Sequence, residues 1–197
     1  RDLMAGLLAA FSIYPKFKLH SADALKFDFA SLAADGPPLR VVGHLPYNIS
    51  PPLIFKLLGH AALSQDMPVM LQLEVVERLA ADPGSQGWGR LGSKAQYQCQ
   101  VEHLFEVPPS AVCPPHTVQS AIVRLTPWEK SPWPPIKEIQ LRKIVQAAFA
   151  QRRKTLRNNL KGLIDGEALE SLGIDPGSRA ETLQLSQFIE IANAVNE

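Results

Sequence analysis

The sequence predicts an α/β fold followed by a small helical domain, and three observations lead there. Short apolar runs bounded by turn residues alternate with stretches of helical periodicity over the first two thirds of the chain. Past a segment rich in Pro and Trp, only helical patterns remain. The 197 residues, 46% hydrophobic and 20% charged, suffice for one proper core and an appendage.

Taken in order, Asp2 to Phe11 reads as a helix, Lys18 to His20 as a short strand, and Leu39 to Val42 as a buried strand. Pro51-Pro52 suits a helix start, where a fixed φ and a missing N–H cost least, and Leu53, Leu57 and Leu58 then form an apolar face. Val69 to Leu73 is the next strand. Glu74 to Ala81 follows as a helix and stops at Asp82-Pro83-Gly84, which opens a flexible loop, Ser85 to Gly89, of the kind that covers a cleft. Gln100 to Val107 and Ser120 to Leu125 read as an antiparallel closing pair with a Pro-rich connection. Most of the excess among the 17 prolines falls in these connections and in Pro127 to Pro135, where Trp128, Pro132, Trp133, Pro134 and Pro135 make a stiff junction. Helices are expected over Ile139 to Ala150, Thr155 to Ile164, Gly166 to Leu172 and Ser186 to Asn196. The division is therefore an α/β domain at 1–127, the junction at 128–136, and a helical domain at 137–197.

A net charge of +1 does not by itself demand a nucleic-acid partner, so any electrostatic argument rests on local clustering. Cys99 and Cys113 show no metal or disulfide spacing, and His20, His60, His103 and His116 show no ligand spacing, so no metal is expected. A reducing cytoplasm is the expected location. No apolar run approaches the ~18–20 residues of a membrane span.

The most informative stretch is Val41-Val42-Gly43-His44-Leu45-Pro46-Tyr47-Asn48-Ile49-Ser50. An apolar strand would carry the backbone to the carboxyl edge of a parallel sheet, and the Leu-Pro-Tyr turn would leave carbonyls and a phenol ring facing a cleft. The Leu45 carbonyl can accept from an exocyclic amine while Tyr47 offers a ring for stacking, worth roughly 1–3 kcal/mol per base. That chemistry suggests methylation of a base amine.

The segment resembles the Asn-Leu-Pro-Tyr-Asn-Ile-Ser motif of the KsgA/RsmA family of small-subunit rRNA adenine dimethyltransferases. The resemblance continues through Leu71 to Arg78, Gly89-Arg90-Leu91, Val107 to Ala111 and Ser120 to Arg124 to the run Gln151 to Leu160. It implies a Rossmann-like S-adenosyl-L-methionine-dependent methyltransferase domain, incomplete at its N-terminus, with a small C-terminal helical domain. It also implies a catalytic set of His44, Leu45, Pro46 and Tyr47. His44 and the Pro46 carbonyl would hold the target amine toward the methyl sulfonium, and Asp23, Ala24 and His44 would contact the cofactor.

Four departures accompany the match. His44 stands where the family has Asn; neutral imidazole accepts one hydrogen bond, and imidazolium accepts none. Val112 replaces a Phe that stacks on the target base, Leu73 replaces a Lys, and the chain opens just after the family's ribose-binding Glu, without the Gly-rich loop. The expectation is an N-terminally truncated chain with impaired activity. A binding-only module for rRNA or ribosome assembly, and a methyltransferase of altered target, stand as alternatives.

Arg152, Arg153, Lys154, Arg157 and Lys161 form a basic cluster with no acidic residue from Gln151 to Ile164. On one helix, Arg153, Arg157 and Lys161 would make a stripe a quarter-turn from Leu156, Leu160 and Leu163. A solvated face is the plain alternative. With the resemblance, the cluster is expected to bind phosphates of small-subunit rRNA in a pre-ribosomal particle, and the protein is expected to be a monomer without membrane contact.

Overall fold

The computed structural model describes residues 3–33, 36, 38–113 and 117–195; His116 and the ends of the expected first and last helices, Asp2 and Asn196, lie outside them. Helix α1 (Leu3–Phe11) buries none of its side chains. Lys18 to His20 forms no strand, since no neighbouring segment among the described residues offers it a ladder.

The buried strand expected over Leu39 to Val42 is split and shortened. β1 (Leu39–Arg40) and β2 (Gly43–His44) both run parallel to β3 (Ser64–Gln72). The register slips between Leu39, opposite Ser64, and Arg40, opposite Asp66, so pairing restarts two residues later. Val42 is left 71% exposed rather than buried. Helix α2 (Ser50–Leu58) follows with prolines in its first turn and buries Leu53, Ile54, Leu57 and Leu58.

Helices α3 (Leu73–Leu79) and α4 (Arg90–Gln98) lead to β4 (Cys99–Val107) and β5 (Ser120–Pro127). The sequence pattern did not suggest α4. The order is β1-β3-β5-β4, with β2 also on β3, and both β3–β5 and β5–β4 are antiparallel. Met67, Val69 and Leu71 lie opposite Leu125, Val123 and Ala121, and this face packs on α2 and on Val75, Val76 and Leu79 of α3. The result is a Rossmann-like mixed sheet with helices.

Helices α5 (Glu138–Ala148), α6 (Leu156–Asn159), α7 (Gly166–Ser171) and α8 (Leu185–Ala194) build a second core around Phe188 and Ile189. Ala81 and Trp88 belong to it as well. The Ser85 to Gly89 loop is therefore anchored rather than loose, and it borders a cleft with Glu74, Glu77 and Arg78. The Trp88 indole donates to the Leu183 carbonyl at 2.9 Å, and the Gly84 N–H to that of Glu181 at 2.7 Å. No helix among the described residues is long and apolar enough to cross a membrane.

The helix expected over Thr155 to Ile164 contracts to α6. Gly162 adopts φ +84°, which ends right-handed winding, and the Asn159 amide turns to donate to the Ala148 and Gln151 carbonyls at 2.6 and 3.0 Å.

Phe188 is fully buried, so Phe188→Ala is expected to cost about 3–5 kcal/mol in urea unfolding. Burial pushes the Cys99 thiol up to about 12, with Lys94 pulling weakly the other way. Its folded value lies above the unfolded one, so this contribution to stability is whole below the ordinary thiol range and is lost as pH climbs toward 12. In a thiol-reagent assay at mildly alkaline pH, exposed Cys113 reacts in the native protein and Cys99 only after unfolding.

Candidate active site

After β2 the Leu45 N–H still bonds to the Met70 carbonyl at 3.2 Å, which holds the chain on the sheet while its side chain enters the core. Leu45 thus offers the site its backbone only. Pro46 then opens a single 3-10 turn, Tyr47–Ile49, whose Ile49 N–H donates to the Pro46 carbonyl at 3.1 Å. A carbonyl has two lone pairs, so Pro46 keeps acceptor capacity for an amine.

Tyr47 is fixed from several sides. Its hydroxyl shares a 2.5 Å hydrogen bond with the Ser120 hydroxyl at the start of β5, and its carbonyl accepts from the Ser50 hydroxyl at 3.2 Å. The His44 ring meets the Tyr47 ring edge-on, with centroids 5.7 Å apart at 62°. His44 is exposed and Tyr47 half-buried, so the two rings form an open corner at the carboxyl end of β2. Ser120 was not among the residues expected here; its place at the head of a strand, 73 residues from Tyr47, gives no local signal. Val112 is half-buried beside a 3-10 turn, Pro109–Ala111.

Asp23 occupies a tight turn. Its Oδ1 accepts from the Leu25 N–H at 2.9 Å, and its carbonyl accepts from the Lys26 and Phe27 N–H groups, both at 2.9 Å. The side chain is exposed, with Ala24 half-buried next to it. A second residue missed by sequence reasoning holds this turn to the scaffold. The Lys56 ammonium donates to the Leu25 carbonyl at 2.9 Å and to that of Phe27, and it lies 5.3 Å from the Phe29 ring centroid. Lys56 is the sole charged residue of α2, and that isolated cation was its available signal. An exposed carboxylate beside a backbone amide is the donor and acceptor set that fits the amino edge of an adenine, so these residues suit the nucleoside end of S-adenosyl-L-methionine.

Two bidentate ion pairs cross the sheet. Arg40 bonds Asp66 at 2.7 and 2.9 Å, and Arg124 bonds Glu102 at 2.9 and 2.9 Å. The hydrogen bond from Arg124 holds the Glu102 carboxyl below its ordinary range, and both guanidiniums are held above theirs. Both pairs are solvent-exposed on at least one partner, so their use is to fix strand register.

The basic residues do not form the expected helical stripe, because α6 contains only Arg157 of the three. Arg153 and Lys154 are exposed in the turn after α5, and Lys161 is exposed in the turn after α6. Arg152 is committed locally, donating to Glu181 at 3.2 Å and to the Gln86 carbonyl at 3.0 Å.

Comparison with known proteins matches this arrangement to one family. A family model described as ribosomal RNA adenine dimethylase matches residues 1–197. The chain is 54% identical to "Ribosomal RNA small subunit methyltransferase A" of Pseudomonas aeruginosa, over 100% of this chain and 74% of that protein. It is 55% identical to the protein of the same name from Saccharophagus degradans, over 99% and 73%. Among solved structures, a dimethyladenosine transferase from Plasmodium falciparum superposes with TM-score 0.78 at 25% identity, over 97% of this chain and 78% of that one. The 23S rRNA methyltransferase ErmE gives 0.72 at 20% identity, over 100% and 79%, and speaks to the fold alone. With a full-length family match and relatives above half identity, the chain belongs to the ribosomal RNA adenine dimethylase family.

Proposed function

We propose that the chain transfers methyl groups from S-adenosyl-L-methionine to the N6 amine of adenines in small-subunit rRNA, using His44, Leu45, Pro46 and Tyr47 at the target base and Asp23, Ala24 and His44 at the cofactor. The observation that carries this assignment is the corner formed by His44 and Tyr47, locked to Ser120 at the carboxyl end of a parallel strand. Family membership favours catalysis over a binding-only module, and neither the comparisons nor the geometry supports an impaired or retargeted enzyme.

The cofactor supplies an electrophilic methyl group on a sulfonium. The Pro46 carbonyl and the His44 imidazole nitrogen accept from the amine, and Tyr47 fixes the plane of its ring. As the new C–N bond forms and the C–S bond breaks, the nitrogen becomes cationic and loses a proton to water. Positioning carries the catalysis and no buried base is needed. After one transfer the amine retains one N–H, so a second transfer follows the same path.

Arg153, Lys154, Arg157 and Lys161 bind rRNA phosphates in a pre-ribosomal particle, and Arg152 does so while bracing the Gln86 loop. The α/β part, 1–127, performs transfer; the junction, 128–136, joins it to the RNA-binding helical part, 137–197. In this reading the enzyme works as a cytoplasmic monomer.

The direct test is transfer of labelled methyl from S-adenosyl-L-methionine to immature small subunits, followed by nucleoside analysis. N6,N6-dimethyladenosine is expected; label on another base, or none despite cofactor binding, defeats the reading. Tyr47→Phe keeps the ring and loses its anchor, so kcat is expected to fall about tenfold with little change in rRNA affinity. His44→Asn keeps a hydrogen-bond acceptor at this position and is expected to leave kcat within about twofold of the starting protein. Lys56→Met frees the Asp23 turn, and calorimetry is expected to show S-adenosyl-L-methionine binding weakened by about tenfold while rRNA binding holds.

A further inference from the structure

A second cavity lies away from the Tyr47 corner, between helices of the two cores. Helix α4 places Arg90, Lys94 and Tyr97 on one face at i, i+4 and i+7, and α5 places Glu138, Leu141, Arg142 and Val145 on one face at i, i+3, i+4 and i+7. These two faces line the cavity together with Ser93 of α4 and Phe55 of α2. The Lys94 ammonium and Glu138 carboxylate pair across the gap and hold its width.

The cavity, open on one side, has a volume of about 170 Å³. A cavity of ~150 Å³ holds a benzene ring, so this one accommodates a single ring. Its walls are Phe55, Tyr97, Leu141 and Val145, which suit a flat apolar face. Burial and the nearby Glu138 carboxylate hold the Tyr97 hydroxyl above its ordinary range, so it stays neutral and able to donate. At the mouth, Arg90 and Arg142 are exposed and make no ion pair among the described residues. A ring-sized aromatic slot flanked by two uncommitted guanidiniums matches a nucleotide, base inside and phosphate at the rim.

We propose that this pocket binds one unstacked nucleotide of the rRNA substrate, outside the methyl-transfer site, and so orients the two cores on the RNA. The inference rests on rRNA being the substrate. It shares no lining residue with the Asp23 turn or the His44 and Tyr47 corner.

The test measures binding of small-subunit rRNA across a salt series for the full chain, with thermal unfolding as a fold control. Arg90→Glu with Arg142→Glu is expected to weaken binding and to lower the slope of log K against log salt by about 1.4, two phosphate contacts at ~0.7 each on a single strand. Phe55→Ala is expected to weaken binding roughly 5-fold to 100-fold with the slope unchanged, and Phe55→Trp to retain it. An unchanged slope in the double Arg variant, or wild-type affinity in Phe55→Ala, overturns the pocket while wild-type methyl transfer to rRNA continues. Failure of the wild-type chain to bind or methylate rRNA instead overturns the underlying function.

Discussion

β3 takes a parallel neighbour on one edge and an antiparallel neighbour on the other, and the site depends on that change of direction. Because β2 runs with β3, its chain leaves the sheet at the carboxyl end, at His44. Because β5 runs against β3, its first residue, Ser120, sits at that same end, opposite Gln72. Tyr47 and Ser120 are therefore delivered to one place by topology, and a single hydroxyl contact can tie the turn to the sheet. An all-parallel sheet would bring the start of β5 to the opposite end and leave Tyr47 without this anchor.

α2 extends this order outward. Its first turn continues from the Tyr47 turn, and Lys56, six residues and so roughly 9 Å further along, grips the turn that presents Asp23. One rigid helix thereby spaces the His44 and Tyr47 corner from the Asp23 turn. Apolar contacts on Leu53, Ile54, Leu57 and Leu58 fix its rotation, so moving either end means disturbing the core. Hydrogen bonds from a charged donor are worth about 1.5–3 kcal/mol, enough for Lys56 to order an exposed segment that buries little of itself.

The elements legible in the sequence were those whose signals are local. Pro51-Pro52 marked the start of α2, and the alternation in Ser120 to Leu125 marked β5. The sequence pattern failed where partners decide. Val42 reads as strand interior, but the register slip at Leu39 and Arg40 turns it outward. Leu156 to Leu163 has the spacing of a helix, yet Asn159 is drawn to the end of α5 and Gly162 winds the other way. Trp88 sits in a Gly-rich loop and reads as mobile, while its buried indole finds a carbonyl 95 residues away. Tyr47 stands out by its motif, whereas the contacts of Ser120 and Lys56 are ones that no short spacing reveals.

In the proposed reading, losing the helical stripe changes how the cations would meet RNA. A straight row on one helix would follow one groove edge, whereas Arg153, Lys154, Arg157 and Lys161 occupy two turns and the short helix between them. Loose turns would cost entropy on binding, but these are fastened: the Lys154 N–H and the Asn159 amide both bond the Gln151 carbonyl, at 2.9 and 3.0 Å, and the Leu163 N–H bonds that of Leu160 at 2.9 Å. Backbone pinned in this way leaves mainly side-chain freedom to be lost when phosphates arrive. The surface therefore combines fixed backbone with adjustable charge, which suits a folded RNA whose phosphates do not lie on a straight line.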